Sequence, residues 1–303
     1  MITINSIAEF HRLKGLPEPV HPLISLIRVE DLRFTDDPLW QQYSLNFYCI
    51  SLKRGITSKV KYGQQYYDFD KGLMTFVAAK QVQSLEMPQD AVPGTSFGVG
   101  HALLFHPDFL YGHPLAAAIS NYGFFSYAVY EALHLSDQEE QNIAGIFQKI
   151  GQEIQHIDRH TQEIVLSQID LLLNYSKRFY ERQFITRKAV NHDLLIKMES
   201  LLSSYFADEA ALKKGLPSVE YLAAGLNVSP HYLSDMLRSL TGQGAQQHIQ
   251  GKLVEKAKEY LSTTKLSVAE IAYRLGFDYP QSFNKMFKKK TDSSPLEFRR
   301  SFN

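Results

Sequence analysis

The chain has 303 residues, 44% of them hydrophobic and 21% charged, a length sufficient for two domains that each bury a core. Lys+Arg and Asp+Glu number 32 each, so the chain is not uniformly basic, and its single cysteine, Cys49, excludes an internal disulfide. No apolar run approaches about 18 residues, and the opening MITINSIAEFHRL lacks a basic start followed by a long apolar run. A cytoplasmic protein is expected.

After this short leader, segments 23–34, 45–54, 59–69, 73–79, 81–87 and 95–105 are rich in β-branched, Tyr and Phe residues. Gly55, Gly63, Gly72, Pro88, Pro93 and Gly94 punctuate them. Short strands at close spacing with turn signals between them imply an antiparallel sandwich or barrel. Cys49, between Tyr48 and Ile50, reads as a buried reduced thiol.

Nothing here has the layout of an enzyme. His101, His106 and His113 lie near one another without His-x-His spacing, and His156 and His160 at i and i+4 lack a third ligand. Gly-Gln-Gly at 242–244 follows a helical pattern and reads as a helix stop, whereas a phosphate cradle follows a strand. No metal, cofactor or catalytic residue is assigned.

From 137 to 154, Ile143, Ile146, Phe147, Ile150 and Ile154 recur at helical spacing behind Ser136 as N-cap, with Glu139 and Glu140 in the first turn. A second helix over about 157–181 is apolar on a wider arc: Ile164, Val165, Ile169, Leu171, Leu172, Leu173, Tyr175 and Phe179. One stripe packs on the β-domain; the second implies another partner. Polar residues over 183–192 break the pattern and mark a linker, after which Leu194, Leu195, Met198, Leu201, Leu202, Tyr205 and Phe206 resume it.

The most informative stretch is 267–290, SVAEIAYRLGFDYPQSFNKMFKKK. Ser267 and Glu270 form a capping box, Gly276 stops the first helix, and Pro280 suits the first turn of the next. Val268, Ile271, Ala272 and Leu275 face inward on one helix, and Phe283, Met286 and Phe287 on the other. The outward side carries Gln281, Asn284, Lys285, Lys288, Lys289 and Lys290, the layout of a helix-turn-helix whose second helix enters a major groove. Segment 218–240, SVEYLAAGLNVSPHYLSDMLRSL, repeats the plan, with Gly225 at the bend, Ser229 as N-cap, Pro230 following, and Leu233, Met236 and Leu237 inward.

Between the two units a helix over about 245–262 spans about 27 Å, close to the roughly 34 Å between successive major grooves on one face of B-DNA. Ser294, Pro295 and Glu297 start a short final helix. From residue 240 onward Lys+Arg number 11 and Asp+Glu 6, so cations gather where recognition needs them.

The paired units, the long connecting helix and GFDYPQSFNKMFKKKTDSSPLEFRRSF resemble the DNA-binding domain of AraC-type (AraC/XylS family) transcription regulators, over about the last 110 residues. Asp292 stands where that family usually has glycine, and Asp235 where an arginine is frequent. The resemblance implies an N-terminal cupin-like β-barrel that binds a small effector, and LNFYCISLKRG looks like one of its strands. HPDFLYGHPLAAAISNYGFFSYAVYEALHLSDQEE is similar to a segment of many such regulators from the Bacteroidetes group and reads as the exit from the barrel.

The expected fold is therefore α+β: a cupin-like antiparallel β-barrel over 1–135, a helical dimerisation region over 136–182, a linker over 183–192, and an all-α domain over 193–303. The expected function is a homodimeric, sequence-specific transcription regulator of double-stranded DNA controlled by a small-molecule effector, with contact to the transcription machinery as a further possibility. Two alternatives stand beside it: the same DNA binding with an N-terminal protein-interaction domain, or a metal-dependent cupin enzyme fused to a DNA-binding domain. Gln281, Asn284 and Lys285 are the base-reading candidates of the second unit, and His231, Ser234 and Asp235 those of the first. Arg238, Lys288, Lys289 and Lys290 suit phosphates. Tyr48, Arg54 and Tyr62 are chosen as effector contacts on their chemistry alone.

Overall fold

The computed structural model describes residues 2–33, 37–40, 42–54, 61–62, 65–66, 72–83, 94–96, 98–128, 131–207 and 210–301. It is a mixed α+β chain in two compact units, Met1–Gln183 and Phe184–Asn303.

Unit 1 begins with β1 (Ile2–Ile4) and α1 (Ile7–Lys14), in the stretch expected to be only a leader. Ser6 caps α1 by accepting from the Glu9 N–H, and Gly15 closes it at φ 66. The helix is short enough that three buried residues, Ile7, Phe10 and His11, carry its packing. Then follow β2 (Ile24–Arg28), β3 (Tyr43–Leu45), β4 (Tyr48–Arg54), β5 (Lys61–Tyr62), β6 (Gln65–Tyr66), β7 (Leu73–Val77), β8 (Val82–Gln83), β9 (Val99–Phe105), the short helix α2 (Leu115–Ala118) and β10 (Leu133–His134). An antiparallel sheet has the order β10-β7-β4-β9-β2, and a smaller sheet the order β1-β3-β8 with β1 and β3 parallel.

The side-chain alternation of β4 divides the larger sheet into two faces. On one, Tyr48, Ile50 and Leu52 stand beside Phe105, Phe76, Leu103, Met74 and His101 of the flanking strands. Helical segments cover this face: Phe124 and Phe125 from the turn at Gly123–Ser126, α3 (Asp137–Glu153), and α4 (Thr161–Thr186). Phe76 packs on Phe124 at 4.5 Å and on Tyr180 of α4 at 6.1 Å, and His101 stacks on Phe147 of α3 at 6.2 Å. On the other face, Ile27, Ala102 and Leu104 join Ile4, Ile7, Phe10, Val29, Trp40, Leu45 and Phe47 in a core shared with the smaller sheet and α1, with Cys49 at its margin. Burial pushes the Cys49 thiol up to about 11, so it stays protonated.

The capping box of Ser136 and Glu139 starts α3, and Ile143, Ile146, Phe147 and Ile150 are buried along it. The two acids do more than favour the helix dipole. Glu139 pairs with Arg182 at 2.8 Å, and Glu140 with Arg54. Segment 183–192 is occupied by helix: α4 runs to Thr186 and α5 (Lys188–Ala207) begins two residues later. Two of its polar residues, Gln183 and Asn191, break the apolar pattern while being buried and bonded. Gln183 accepts from the His134 N–H of β10 and donates to the Ala132 carbonyl, and Asn191 donates to the Phe184 carbonyl.

Unit 2 continues with α6 (Ala210–Lys214), α7 (Val219–Leu226), α8 (Pro230–Thr241), α9 (Ala245–Thr263), α10 (Val268–Arg274), α11 (Pro280–Thr291) and α12 (Pro295–Arg300). Among the described residues no helix is long and apolar enough to cross a membrane.

Candidate nucleic-acid interface

Two helix pairs, α7–α8 and α10–α11, are built alike at an offset of about fifty residues. The helix α10 ends in Gly276 at φ 91; Gly276 N–H donates to the Tyr273 carbonyl and Phe277 N–H to the Ala272 carbonyl. This paired arrangement satisfies the last free carbonyls and turns the chain toward α11. In the first pair the same two bonds run from Asn227 to Ala224 and from Val228 to Ala223, and the left-handed residue is Asn227 at φ 54. The expected bend at Gly225 is thus two residues early. Gly225 lies inside α7, where a Cβ would come within 2.9 Å of Leu201 Cδ1 on α5. Its small size serves helix packing, while asparagine, which tolerates the left-handed region, makes the turn.

Each second helix starts on a proline. Ser229 caps α8 by accepting from the Tyr232 N–H at 3.2 Å, whereas Tyr279 precedes α11 without a side-chain cap. The rotation of α11 about its axis is fixed by a row of rings: Phe277 to Phe283 at 5.5 Å, Phe283 to Phe287 at 5.7 Å, and Phe287 to Phe298 of α12 at 5.6 Å. Phe283 and Phe287 are fully buried. Gln281, Asn284, Lys285, Lys288, Lys289 and Lys290 are consequently all exposed. On α8, Tyr232, Leu233, Met236 and Leu237 are buried, His231 and Arg238 are exposed, and Ser234 and Asp235 are half-buried.

The ends repeat as well. Gly242 closes α8 and Asp292 closes α11, both left-handed, with Asp292 at φ 57 in the place suited to glycine. Thr241 and Thr291 each donate back to the carbonyl four residues earlier, at 2.8 and 2.9 Å. Arg299 of α12 then ties the domain together, donating to the Leu261 carbonyl at the end of α9 and to the Leu266 carbonyl at 2.6 Å.

Electrostatically the two exposed faces differ. Asp235 and Arg238 form an ion pair at 2.7 Å, so the first unit offers a compensated charge where the second offers Lys285 and Lys288. The Glu297 carboxyl is held below its usual range, first by the Ser294 N–H and to a smaller degree by Lys288 and Arg300, which places a carboxylate near Lys288. On α9, Lys252 and Lys256 pair with Glu255 and Glu259. Tyr279, 70% exposed at the leading edge of α11, was not singled out from the sequence. The available signal was an aromatic residue outside the apolar period directly before Pro280.

Of the chosen effector residues, Tyr48 and Arg54 stand six residues apart on one face of β4. Tyr48 stacks on Phe105 at 5.0 Å and meets Phe125 at 5.3 Å, in the face covered by helices. Arg54 points to the same side, paired with Glu140 and 4.0 Å from Asp137. The Tyr62 side chain lies outside the described residues. The histidines serve locally: the His106 and His113 rings accept from the N–H groups of Asp108 and Leu115. No group of three potential metal ligands occurs among the described residues.

A family model described as "Helix-turn-helix domain" matches residues 222–301. Over 84 residues the chain is 32% identical to the uncharacterized HTH-type transcriptional regulator YijO of Escherichia coli strain K12, which covers 28% of this chain and 30% of that protein. Over 163 residues it is 26% identical to the HTH-type transcriptional activator RhaS of Salmonella schwarzengrund, 54% of either chain. The chain thus spans about half, or less, of these curated relatives. Among solved structures, the DNA-binding domain of AdpA in complex with a target DNA is 27% identical with a TM-score of 0.31, covering 35% of this chain and 92% of that one. A regulator with an AraC-type DNA-binding domain from Chromobacterium violaceum is 20% identical with a TM-score of 0.33, covering 38% and 96%. Two helix pairs flanking one helix, with a helix-turn-helix match over residues 222–301, mean that the chain carries a C-terminal helix-turn-helix domain of the AraC type.

Proposed function

We propose that this protein is a sequence-specific DNA-binding transcription regulator in which α11 reads bases, α8 contributes chiefly to placement, and unit 1 carries a small-molecule effector in a cupin-like barrel. The observation that carries the reading is α11: its apolar side is locked in a row of four buried or partly buried rings, leaving amides on its N-terminal half and lysines on its C-terminal half exposed. Amides there suit adenine edges in the major groove, and lysines suit phosphates. The helix α9, 19 residues and about 28 Å long, separates the pairs on the scale of successive major grooves. Exposed apolar residues on α4, Ile164 at 43% and Leu171 at 42%, one heptad apart, support a homodimer.

In vitro selection of duplex DNA by the full chain tests the reading. Paired motifs about one helical turn apart are expected, with the stronger half assigned to α11; no enrichment at low salt from folded protein would overturn it. Gln281→Ala and Asn284→Ala should each cost about 1–3 kcal/mol at particular base pairs and little elsewhere. Titration against a set of single-base variants checks this, and equal losses on every sequence would remove base reading from these residues.

The ion pair on α8 yields a prediction of opposite sign. Asp235→Ala frees Arg238 for phosphate, so binding to all sequences should tighten, with a salt slope steeper by about 1. A loss confined to one G·C pair would instead mean that Asp235 accepts from a cytosine amino group.

A further inference from the structure

The helix α6 lies ahead of residue 222, where the helix-turn-helix match begins, and belongs to neither helix pair. It buries Ala211 and ends in Lys213 and Lys214, both exposed. Gly215 follows at φ 78 and is held from two sides. Its carbonyl accepts from the Tyr205 hydroxyl of α5 at 3.0 Å, and its backbone lies so close to Gly276 that a Cβ there would have no room. A segment distant in sequence is thereby fixed at the turn between α10 and α11.

A groove of about 810 Å³ runs along this junction, with Lys213, Lys214 and Leu216 on the α6 side and Tyr273, Asp278 and Tyr279 on the other. Asp278 is the one acid among its described lining residues, against two lysines. Neither lysine has an ion-pair partner among the described residues, whereas Lys252 and Lys256 of α9 pair with Glu255 and Glu259. At the carbonyl end of a short helix, two solvated lysines would be ordinary. Their position argues for more. When the second helix of such a pair enters a major groove with its N-terminal end toward the bases, the first helix crosses the sugar-phosphate backbone. The turn between them then stands at the rim of the groove, and a segment seated on that turn stands beside the backbone. Tyr279 directly precedes α11, so the α6 groove opens at the same end as Gln281 and Asn284.

We propose that Lys213, Lys214 and Tyr279 form one phosphate-binding edge, which grips the DNA strand beside the base pairs that α11 reads. Lysine ammoniums and a tyrosine hydroxyl are both donors to phosphate oxygens. The edge rests on the reading of α11 as the base-reading helix, and it carries the DNA surface of this chain beyond its two helix pairs. It adds affinity and fixes placement without adding sequence preference.

Fluorescence anisotropy of the full chain over a salt series tests it, on the duplex most enriched by selection with the parent and on a scrambled duplex. Lys213→Ala with Lys214→Ala should weaken both about tenfold, and the slope of log affinity against log salt should become shallower by about 2. Lys213→Arg with Lys214→Arg should keep the slope. Tyr279→Phe should weaken both duplexes about fivefold, the scale of one hydrogen bond, and Asp278→Asn should tighten both. Circular dichroism checks that the variants fold. Ethylation of single phosphates locates the contact: interference beside the half-site that Gln281→Ala identifies should fade in the double alanine variant and persist beside the other half. If that variant matches the parent in slope and affinity, or loses interference only beside the α8 half, the edge falls while base reading by α11 stands. If the parent binds neither duplex at low salt, the edge and the proposed function fall together.

Discussion

Gly276→Ala should destabilise unit 2 by about 3–5 kcal/mol, at the upper end of single substitutions. Two effects add. The residue sits at φ 91, where a Cβ costs roughly 1–2 kcal/mol. The added carbon would also lie 2.5 Å from the Gly215 carbonyl carbon, 2.6 Å from its oxygen and 2.9 Å from the Leu216 nitrogen. These are backbone atoms and cannot rotate aside, so the turn between α10 and α11 would have to open and α11 would lose its place. Gly242→Ala is the control: it has a similar φ of 76 with nothing within 4 Å of the added carbon, so it should cost only about 1 kcal/mol. Urea unfolding of the full chain followed by circular dichroism distinguishes them. Equal losses would show that the close approach of the two glycine backbones contributes nothing.

Replacing Lys288, Lys289 and Lys290 together by alanine should have the largest effect on DNA binding, provided the proposed function holds. All three are exposed on the last turn of α11, where they also complement the helix dipole. If each neutralises one phosphate, the slope of log affinity against log salt should become shallower by roughly 2–3 units. Affinity at low salt should fall by about a hundredfold, alike on specific and scrambled duplexes. Of the three, Lys288 should matter least singly because Glu297 is near it. Fluorescence anisotropy over a salt series reads both quantities, and an unchanged slope would place the lysines in solvent rather than on phosphate.

Much of unit 2 was legible in the sequence because its punctuation is local. Ser267 with Glu270 and Ser294 with Glu297 cap helices within four residues of chain, and both boxes are present with bonds in each direction. Where a second role competes, local reading slips. Gly225 looked like the bend because glycine usually is, yet it makes room for Leu201 and leaves the turn to Asn227. Gln183 and Asn191 looked like linker residues because they are polar, but both are buried and bonded to backbone carbonyls. Unit 1 was less legible because its faces depend on pairing between strands far apart in sequence. A shift of one residue exchanges the two sides of β4, and chemistry alone cannot tell Tyr48 and Arg54 from Cys49, Ser51 and Lys53. The helix α1 escaped notice because three buried residues in eight make a weak periodic signal.

The helix α9 has a consequence for how such a protein can change. A residue inserted into it would advance α10 and α11 by about 1.5 Å and swing them by about 100° relative to α7 and α8. DNA advances about 3.4 Å and turns through roughly 34–36° at each base pair, so no single insertion moves the pairs from one operator spacing to the next while keeping both on one side of the duplex. Bases can be exchanged one side chain at a time on α8 and α11, but spacing is held as a phase. Under the proposed reading, operators of this protein and its near variants should drift in letters while the distance between their halves stays constant.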